Sequence, residues 1–335
     1  MLKRVLWARV LLVAFLCVVG LRADTLMGFV KAYHKKGIAS IERLLQSYLT
    51  QKEFWEDVLE KHDISYGYYE DLDYLFVINK ADPKLILYAL QGEKIVKVNE
   101  STALVGSKTG EKITEGDKAT PIGVYQILKK LTGLDAYYGP FALETNYPNP
   151  FDVARKRNGH GIWIHGLPLD GKRDELNTKG CIAIQNPILK DYGTRLKDKK
   201  TLLIVYEGEF KYATQDELAT LLSSLYTWRS AWAKNDLVSY MNFYAPDFKH
   251  ANGMDYKTYE KFKTHVFGKN EDKTIRFSKV NITPYPNNDH KRIFRIAFDQ
   301  DYDAYKNKKL VYSSHGTKVL FVALEKGKMQ ILVEK

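Results

Sequence analysis

The stretch Ile162 to Ile184 reads I-W-I-H-G-L-P-L-D-G-K-R-D-E-L-N-T-K-G-C-I-A-I. Two short apolar runs, I-W-I-H and C-I-A-I, flank a solvated loop that carries Pro, Gly and charges. Alternation of this kind over a few residues marks β-strands, and the loop marks the connection between them. The first strand ends on His165 and the second begins on Cys181, sixteen residues later. A strand, a loop and a return strand bring the two side chains together. An unperturbed cysteine is only weakly ionised at neutral pH, and a histidine within hydrogen-bond reach lowers that pKa and serves as general base. Gly180, before the thiol, allows close backbone approach to a substrate. The amides around Gly180 and Cys181 are candidate oxyanion donors, and Thr178 is a candidate hydrogen-bonding group inside the site.

The cysteine inventory sharpens this. The chain has 335 residues and two cysteines, Cys17 and Cys181. Cys17 lies in M-L-K-R-V-L-W-A-R-V-L-L-V-A-F-L-C-V-V-G-L-R-A-D, where Lys3, Arg4 and Arg9 precede an apolar run from Val10 to Leu21. That run is too short for a comfortable membrane span and reads as a secretory signal peptide, residues 1–23. An uncleaved anchor is the alternative. Removal of Lys3, Arg4, Arg9 and Arg22 takes the formal charge from +11 to +7, 47 basic against 40 acidic residues. The mildly basic surface suits an anionic polymer such as a cell wall and is no nucleic-acid footprint. Cys181 is then a lone thiol in an oxidising compartment, either a functional group or an inert buried one.

Outward from the site the chain divides into three parts. Residues 24–71 read as helical, with Ile38, Ile41, Leu44, Leu45, Tyr48 and Leu49 at helical spacing and Thr50 with Glu53 as a capping box. This piece is too small to bury its own core and must pack on another domain or on a second copy. Residues 72–208 carry short apolar runs between Gly/Pro turns, a β-rich domain built as a sandwich or partly closed barrel. Residues 209–335 start with a long helical stretch, Gln215 to Tyr244. A short helix near Tyr256 to Phe267 follows, then strands at Ile275–Ile282, Arg292–Asp303, Lys309–Leu324 and Met329–Val333. The whole is a multidomain α+β chain. No Cys/His cluster has metal-ligand spacing, and no cofactor is indicated.

H-G, sixteen residues, then T-x-G-C and an apolar residue resembles the signature of the L,D-transpeptidase (YkuD-type) catalytic domain. V-I-N-K-A-D-P-K-L-I-L-Y resembles that family's opening hairpin, and K-A-T-P-I-G-V-Y-Q-I its T-P-x-G strand. The resemblance spans about 73–206. It implies Cys181 as a nucleophile acylated on a peptidoglycan stem peptide, His165 as its base, and the Gly166 carbonyl as the group orienting the imidazole. It also implies Trp163 and Tyr147 as pocket-lining residues, with a core aromatic as the alternative for Trp163 and a turn aromatic as the alternative for Tyr147. Two positions depart from the pattern. Lys179 replaces a histidine, and Ala183 stands where transpeptidases carry an arginine. G-C-I-A-I therefore resembles the hydrolytic branch, the L,D-carboxypeptidases that govern cell shape in helical bacteria and trim tetrapeptide stems to tripeptides. Transpeptidation and a non-catalytic wall-binding role are the alternatives. W-x-x-A-W-x-x-x-D-x-x-x-Y-x-x-x-Y-x-x-x-F, Trp228 to Phe248, resembles the first helix of NTF2-like domains, whose tyrosines either stack on sugars or pack. The expected partner is the peptidoglycan stem peptide in the periplasm. A homodimer through the N-terminal helices is a further expectation, and no stable membrane span remains after signal cleavage.

Overall fold

A computed structural model describes residues 27–171, 176–289 and 291–335. The signal-peptide segment and His290 lie outside the described residues. After helical residues 27–36 come α1 (Ile38–Leu49), α2 (Lys52–Leu59) and a two-residue strand, β1 (Tyr68–Tyr69). Eight strands follow: β2 (Tyr74–Asn79), β3 (Lys84–Gln91), β4 (Lys94–Leu104), β5 (Gly123–Leu131), β6 (Ala142–Thr145), β7 (Trp163–His165), β8 (Ile182–Ile184) and β9 (Thr201–Tyr206). They close into a barrel in the order β2-β3-β4-β8-β7-β6-β5-β9. Helix α3 (Pro150–Ala154) precedes β7, and α4 (Asn186–Arg195) follows β8. Pro at the first turn suits both helices, because the missing N–H has no intrahelical partner there.

The C-terminal part holds α5 (Gln215–Ala233), α6 (Leu237–Met241), β10 (Tyr244–His250), α7 (Tyr256–Gly268) and four long strands: β11 (Asp272–Tyr285), β12 (Ile293–Lys306), β13 (Lys309–Glu325) and β14 (Lys328–Glu334). The sheet order is β1-β11-β12-β13-β14-β10. The helical stretch expected as far as Tyr244 breaks at Asn235, whose φ of 59° leaves helical space. A new cap at Asp236 then starts α6. Tyr244–His250 is strand because it pairs in parallel with β14, a long-range contact that local periodicity does not carry.

Three cores hold the chain together. The barrel interior is filled by alternate residues such as Phe76, Ile78, Leu203 and Val205. The opposite faces of the same strands, Leu75, Val77, Val124, Leu202 and Ile204, pack on Tyr285, Ile293, Phe321 and Val333 of the C-terminal sheet. Strands buried on both faces read as continuous apolar runs, which is why T-L-L-I-V-Y shows no polar alternation. Phe151 of α3 stacks on Phe321 at 5.3 Å and 14°, and Asn149 donates to the Tyr285 hydroxyl at 2.9 Å.

The third core is inside the C-terminal part and includes Trp55, Leu59 and Tyr68 from the N-terminal segment. Trp55 stacks on Tyr226 of α5 at 5.5 Å. The segment therefore packs on its own chain, and on the last domain instead of the next one. It is also not wholly helical, since Tyr68 and Tyr69 pair with Ile282 and Asn281 as the edge strand of the C-terminal sheet. The expected Thr50–Glu53 capping box does not form. Thr50 closes α1 with its hydroxyl donated to the Ser47 carbonyl, and Gln51 is the uncapped N-terminus of α2. Capping boxes do form at Asn149–Asp152 and Thr214–Glu217. Trp55 is 5% exposed, so Trp55→Ala is expected to lower stability by about 3–5 kcal/mol. Urea unfolding followed at the C-terminal domain checks this, and an unchanged midpoint would show the segment to be an appendage.

Candidate active site

The register of β7 and β8 builds the site. The strands run parallel, with Ile164 level with Ile182 and His165 level with Ala183. Ile164, Ile182 and Ile184 fill the barrel interior. Alternation then turns Trp163, His165, Cys181 and Ala183 to the outer face together. Residues one diagonal step apart on one face have Cβ atoms roughly 7–8 Å apart or less, within side-chain reach. The two strands expected to carry His165 and Cys181 do pair, which sets the two residues one diagonal step apart.

His165 is 1% exposed, and its Nδ1 lies 2.7 Å from the Gly166 carbonyl. A carbonyl only accepts, so Nδ1 carries the proton and Nε2 is the basic nitrogen. Gly166 donates its N–H to the Tyr138 carbonyl at 3.0 Å. A Cβ on Gly166 would fall 2.0 Å from Asn186 Oδ1. Asn186 in turn clamps Leu167, accepting from its N–H at 2.9 Å and donating to its carbonyl at 3.0 Å. Tyr138 meets both Trp163 and His165 edge-on, at 5.2 and 5.1 Å.

Cys181 is half-buried, and its thiol donates to the Gly161 carbonyl at 3.3 Å. Burial pushes its pKa up, against smaller downward contributions from the Trp163 backbone and the Lys112 charge. The resting thiol is therefore protonated at neutral pH. Lys112 is itself 4% exposed and paired with Asp117 at 2.7 Å. Burial raises the Asp117 carboxyl, but hydrogen bonds from Lys112 and from the Ala119, Ile113 and Thr114 amides outweigh it and hold the carboxyl far below its usual range.

Thr178 and Gly180 shape the turn that leads into Cys181. The Gly180 N–H is donated to Thr178 Oγ1 at 3.1 Å, and Thr178 Oγ1 donates to the Cys181 carbonyl at 2.6 Å. The Gly180 amide is thereby occupied, which leaves the Cys181 amide as the candidate oxyanion donor. Gly180 has φ +134°, and a Cβ there would lie 2.8 Å from the Ala119 carbonyl. Lys179 is exposed. Tyr147 is 5% exposed inside the barrel core, with its hydroxyl donated to the Asn158 carbonyl at 2.9 Å. Its ring packs in the barrel core, where neither expectation places it. Trp163 lies on the site face, and its indole Nε1 is buried without a partner among the described residues.

Sequence reasoning missed Tyr138, Asn186 and the Lys112–Asp117 pair. Only the Gly-bearing turns around them were visible. Tyr240, Tyr244 and Tyr259 of the C-terminal domain are buried, with their hydroxyls bonded to one another or to Glu334. They pack and present no surface for a sugar. Lys318 pairs with Glu334, and Lys263 lies 4.6 Å from the Trp232 ring. Among the described residues no group of three or more His, Cys, Asp or Glu is placed to hold a metal. No helix among them is long and apolar enough to cross a membrane.

The L,D-transpeptidase catalytic domain model matches residues 73–205, and the Cds6 C-terminal NTF2-like domain model matches residues 220–335. The helical cell shape determining protein Pgp2 from Campylobacter jejuni is 40% identical, covering 85% of this chain and 99% of its own, with a TM-score of 0.79. The chain belongs to the L,D-transpeptidase-like family that includes Pgp2. A point mutant of Pgp2 superposes with a TM-score of 0.80, again at 40% identity, over 86% of this chain and 99% of that one. Bd1075 of Bdellovibrio bacteriovorus shares the fold at 24% identity and a TM-score of 0.61, over 79% and 93% of the two chains. No curated protein matches the chain. Membership of this family makes the protein a cysteine-type enzyme acting on peptidoglycan, outside the cytoplasm.

The raised thiol pKa has a visible consequence. Iodoacetamide labelling of Cys181 is expected to quicken as pH rises past the ordinary thiol value of about 8.5, because only the thiolate reacts. Labelling rates measured by mass spectrometry check this. A rate already level at neutral pH would mean a preformed thiolate–imidazolium pair.

Proposed function

We propose that this protein is a periplasmic L,D-carboxypeptidase that removes the terminal D-alanine from peptidoglycan tetrapeptide stems, leaving tripeptides, and so influences cell shape. The observation that carries the reading is the shared outer face of β7 and β8. There a buried His165, with Nδ1 bound to the Gly166 carbonyl, lies one diagonal step along the paired strands from Cys181. Pgp2, a helical cell shape determining protein, is similar across nearly the whole described chain. The domain limits 72–208 and 209–335 are part of the same proposal. Exposed Tyr33, Ile38 and Leu45 on the N-terminal helices are where a second copy would seat.

The steps follow from the geometry. Sγ attacks the carbonyl at the L-centre of the diamino acid as its proton passes to His165 Nε2. The Cys181 amide faces the developing oxyanion. The C–N bond to D-alanine breaks, and its amine takes the proton from His165. Water then attacks the thioester, giving up a proton through His165, and Sγ leaves with the tripeptide carboxyl formed. An amine acceptor in place of water would give a cross-link from the same acyl-enzyme. Ala183 supports water. It is 1% exposed and level with His165, so the face beside the base carries a methyl group and no guanidinium to engage a second stem.

Purified tetrapeptide muropeptides should yield tripeptides and free D-alanine. Cys181→Ala should lower that release at least about a thousandfold while the protein stays folded. Chromatographic product analysis decides the matter. Cross-linked dimers would reassign the protein to transpeptidation, and turnover undiminished by Cys181→Ala would remove the thiol from the mechanism.

A further inference from the structure

Between the barrel and the C-terminal sheet lies a cavity of about 870 Å³. It is walled by the end of β5, the K-D-K-K turn before β9, the β11 segment around Lys279 and Asn281, and β12 from Arg295 to Asp299. None of these residues belongs to the surroundings of Cys181. The volume falls in the range of small-molecule sites.

Its charge is lopsided. Seven cationic and three acidic side chains line it. Four of the lysines are taken up by carboxylates: Lys129 by Glu144, Lys199 by Asp73, Lys200 by Asp71 and Lys279 by Asp299. Lys130 rests over the Phe141 ring at 4.0 Å. Lys197 and Arg295 have no carboxylate within ion-pair distance among the described residues. Asp198, the remaining acid, is exposed on the turn.

Arg295 is the decisive group. It is 3% exposed, on the β12 face that carries Ile293 and Ala297 toward the barrel. Its ionisable neighbours in the fold are the phenols Tyr69 and Tyr285, both neutral at pH 7 because burial raises them. A buried charge is costly unless it is paired and hydrogen-bonded. Burial lowers the guanidinium pKa only to about 10, so it stays charged. An internal cation on the wall of a cavity, with lysines at the rim, is the arrangement that an oxyanion completes. Guanidinium and carboxylate or phosphate meet in a planar, charge-assisted pair. On that side β11 carries a register shift between Ser278 and Asn281, with Lys279 at φ +56°, and both Lys279 and Asn281 line the cavity.

We propose that the interdomain cavity is a binding site for an oxyanion-bearing ligand, its carboxylate or phosphate group seated on Arg295 with Lys197 and Lys130 at the rim. The cavity is larger than a lone phosphate, so the ligand is a molecule of peptide or sugar-phosphate size. This site is separate from the chemistry at Cys181, and its test reads binding instead of turnover.

Isothermal titration of the full mature chain with inorganic phosphate should show saturable binding. Arg295→Met should weaken it at least tenfold, while D-alanine release by Cys181 stays unchanged. The Lys130→Ala/Lys197→Ala double variant, on exposed positions, should weaken it several-fold and covers the case in which Arg295→Met does not fold. A disaccharide-tripeptide that displaces the phosphate identifies a wall carboxylate as the source. Failure to displace it leaves a phosphate compound as the source. Absence of phosphate binding to the unaltered protein, or binding equal in the unaltered protein and the variants, would overturn the proposal.

Discussion

The parallel pairing of β7 and β8 is the interaction on which the site depends. Two three-residue strands in one register send the isoleucines into the barrel and the chemistry outward. A slip of one residue would exchange the faces, burying Cys181 and His165 in the core and exposing Ile182 and Ile164. The apolar side chains therefore enforce the catalytic alignment. The loop closing the pair is held by Thr178, whose one hydroxyl accepts from Gly180 and donates to the Cys181 carbonyl. Asn186 holds the other side at Leu167.

Burial then sets the chemistry. A thiol half out of water, with its hydrogen bond to a carbonyl, rests neutral. Proton transfer to His165 accompanies attack, so the thiolate forms only when a carbonyl carbon is there to receive it. Lys112, paired with Asp117, holds its ammonium where it weakly favours the thiolate, while the Asp117 carboxylate satisfies three loop amides. The loop that precedes β5 is thereby a part of the electrostatics of the site as well as its wall.

The rest of the chain makes one body of these parts. The barrel's outer apolar face and the C-terminal sheet bury each other, and the N-terminal segment reaches past the barrel to join the C-terminal core through Trp55 and Tyr68. The two junctions tie the first and last thirds of the sequence to each other and leave β7, β8 and their outer face clear of the interdomain contact. The seam is apolar where the faces match and cationic where they part, around Arg295.

Much was legible in the sequence because it is local. The strand–loop–strand around His165 and Cys181, the Gly/Pro punctuation of a barrel and the helical spacing of α1 and α5 are carried by adjacent residues. So is Ala183 two places after the thiol. What the sequence hid is set by partners far away in the chain. Tyr68–Tyr69 is strand because β11 offers an edge, and Tyr244–His250 because β14 does. Tyr147 is core because Tyr125 and Asn158 surround it, and the Gly180 amide is occupied because Thr178 folds back on it. Periodicity reports which residues turn apolar faces inward. Only the tertiary structure decides which groups meet there, since pairing, burial and the resulting shift in the thiol depend on neighbours that no local pattern names.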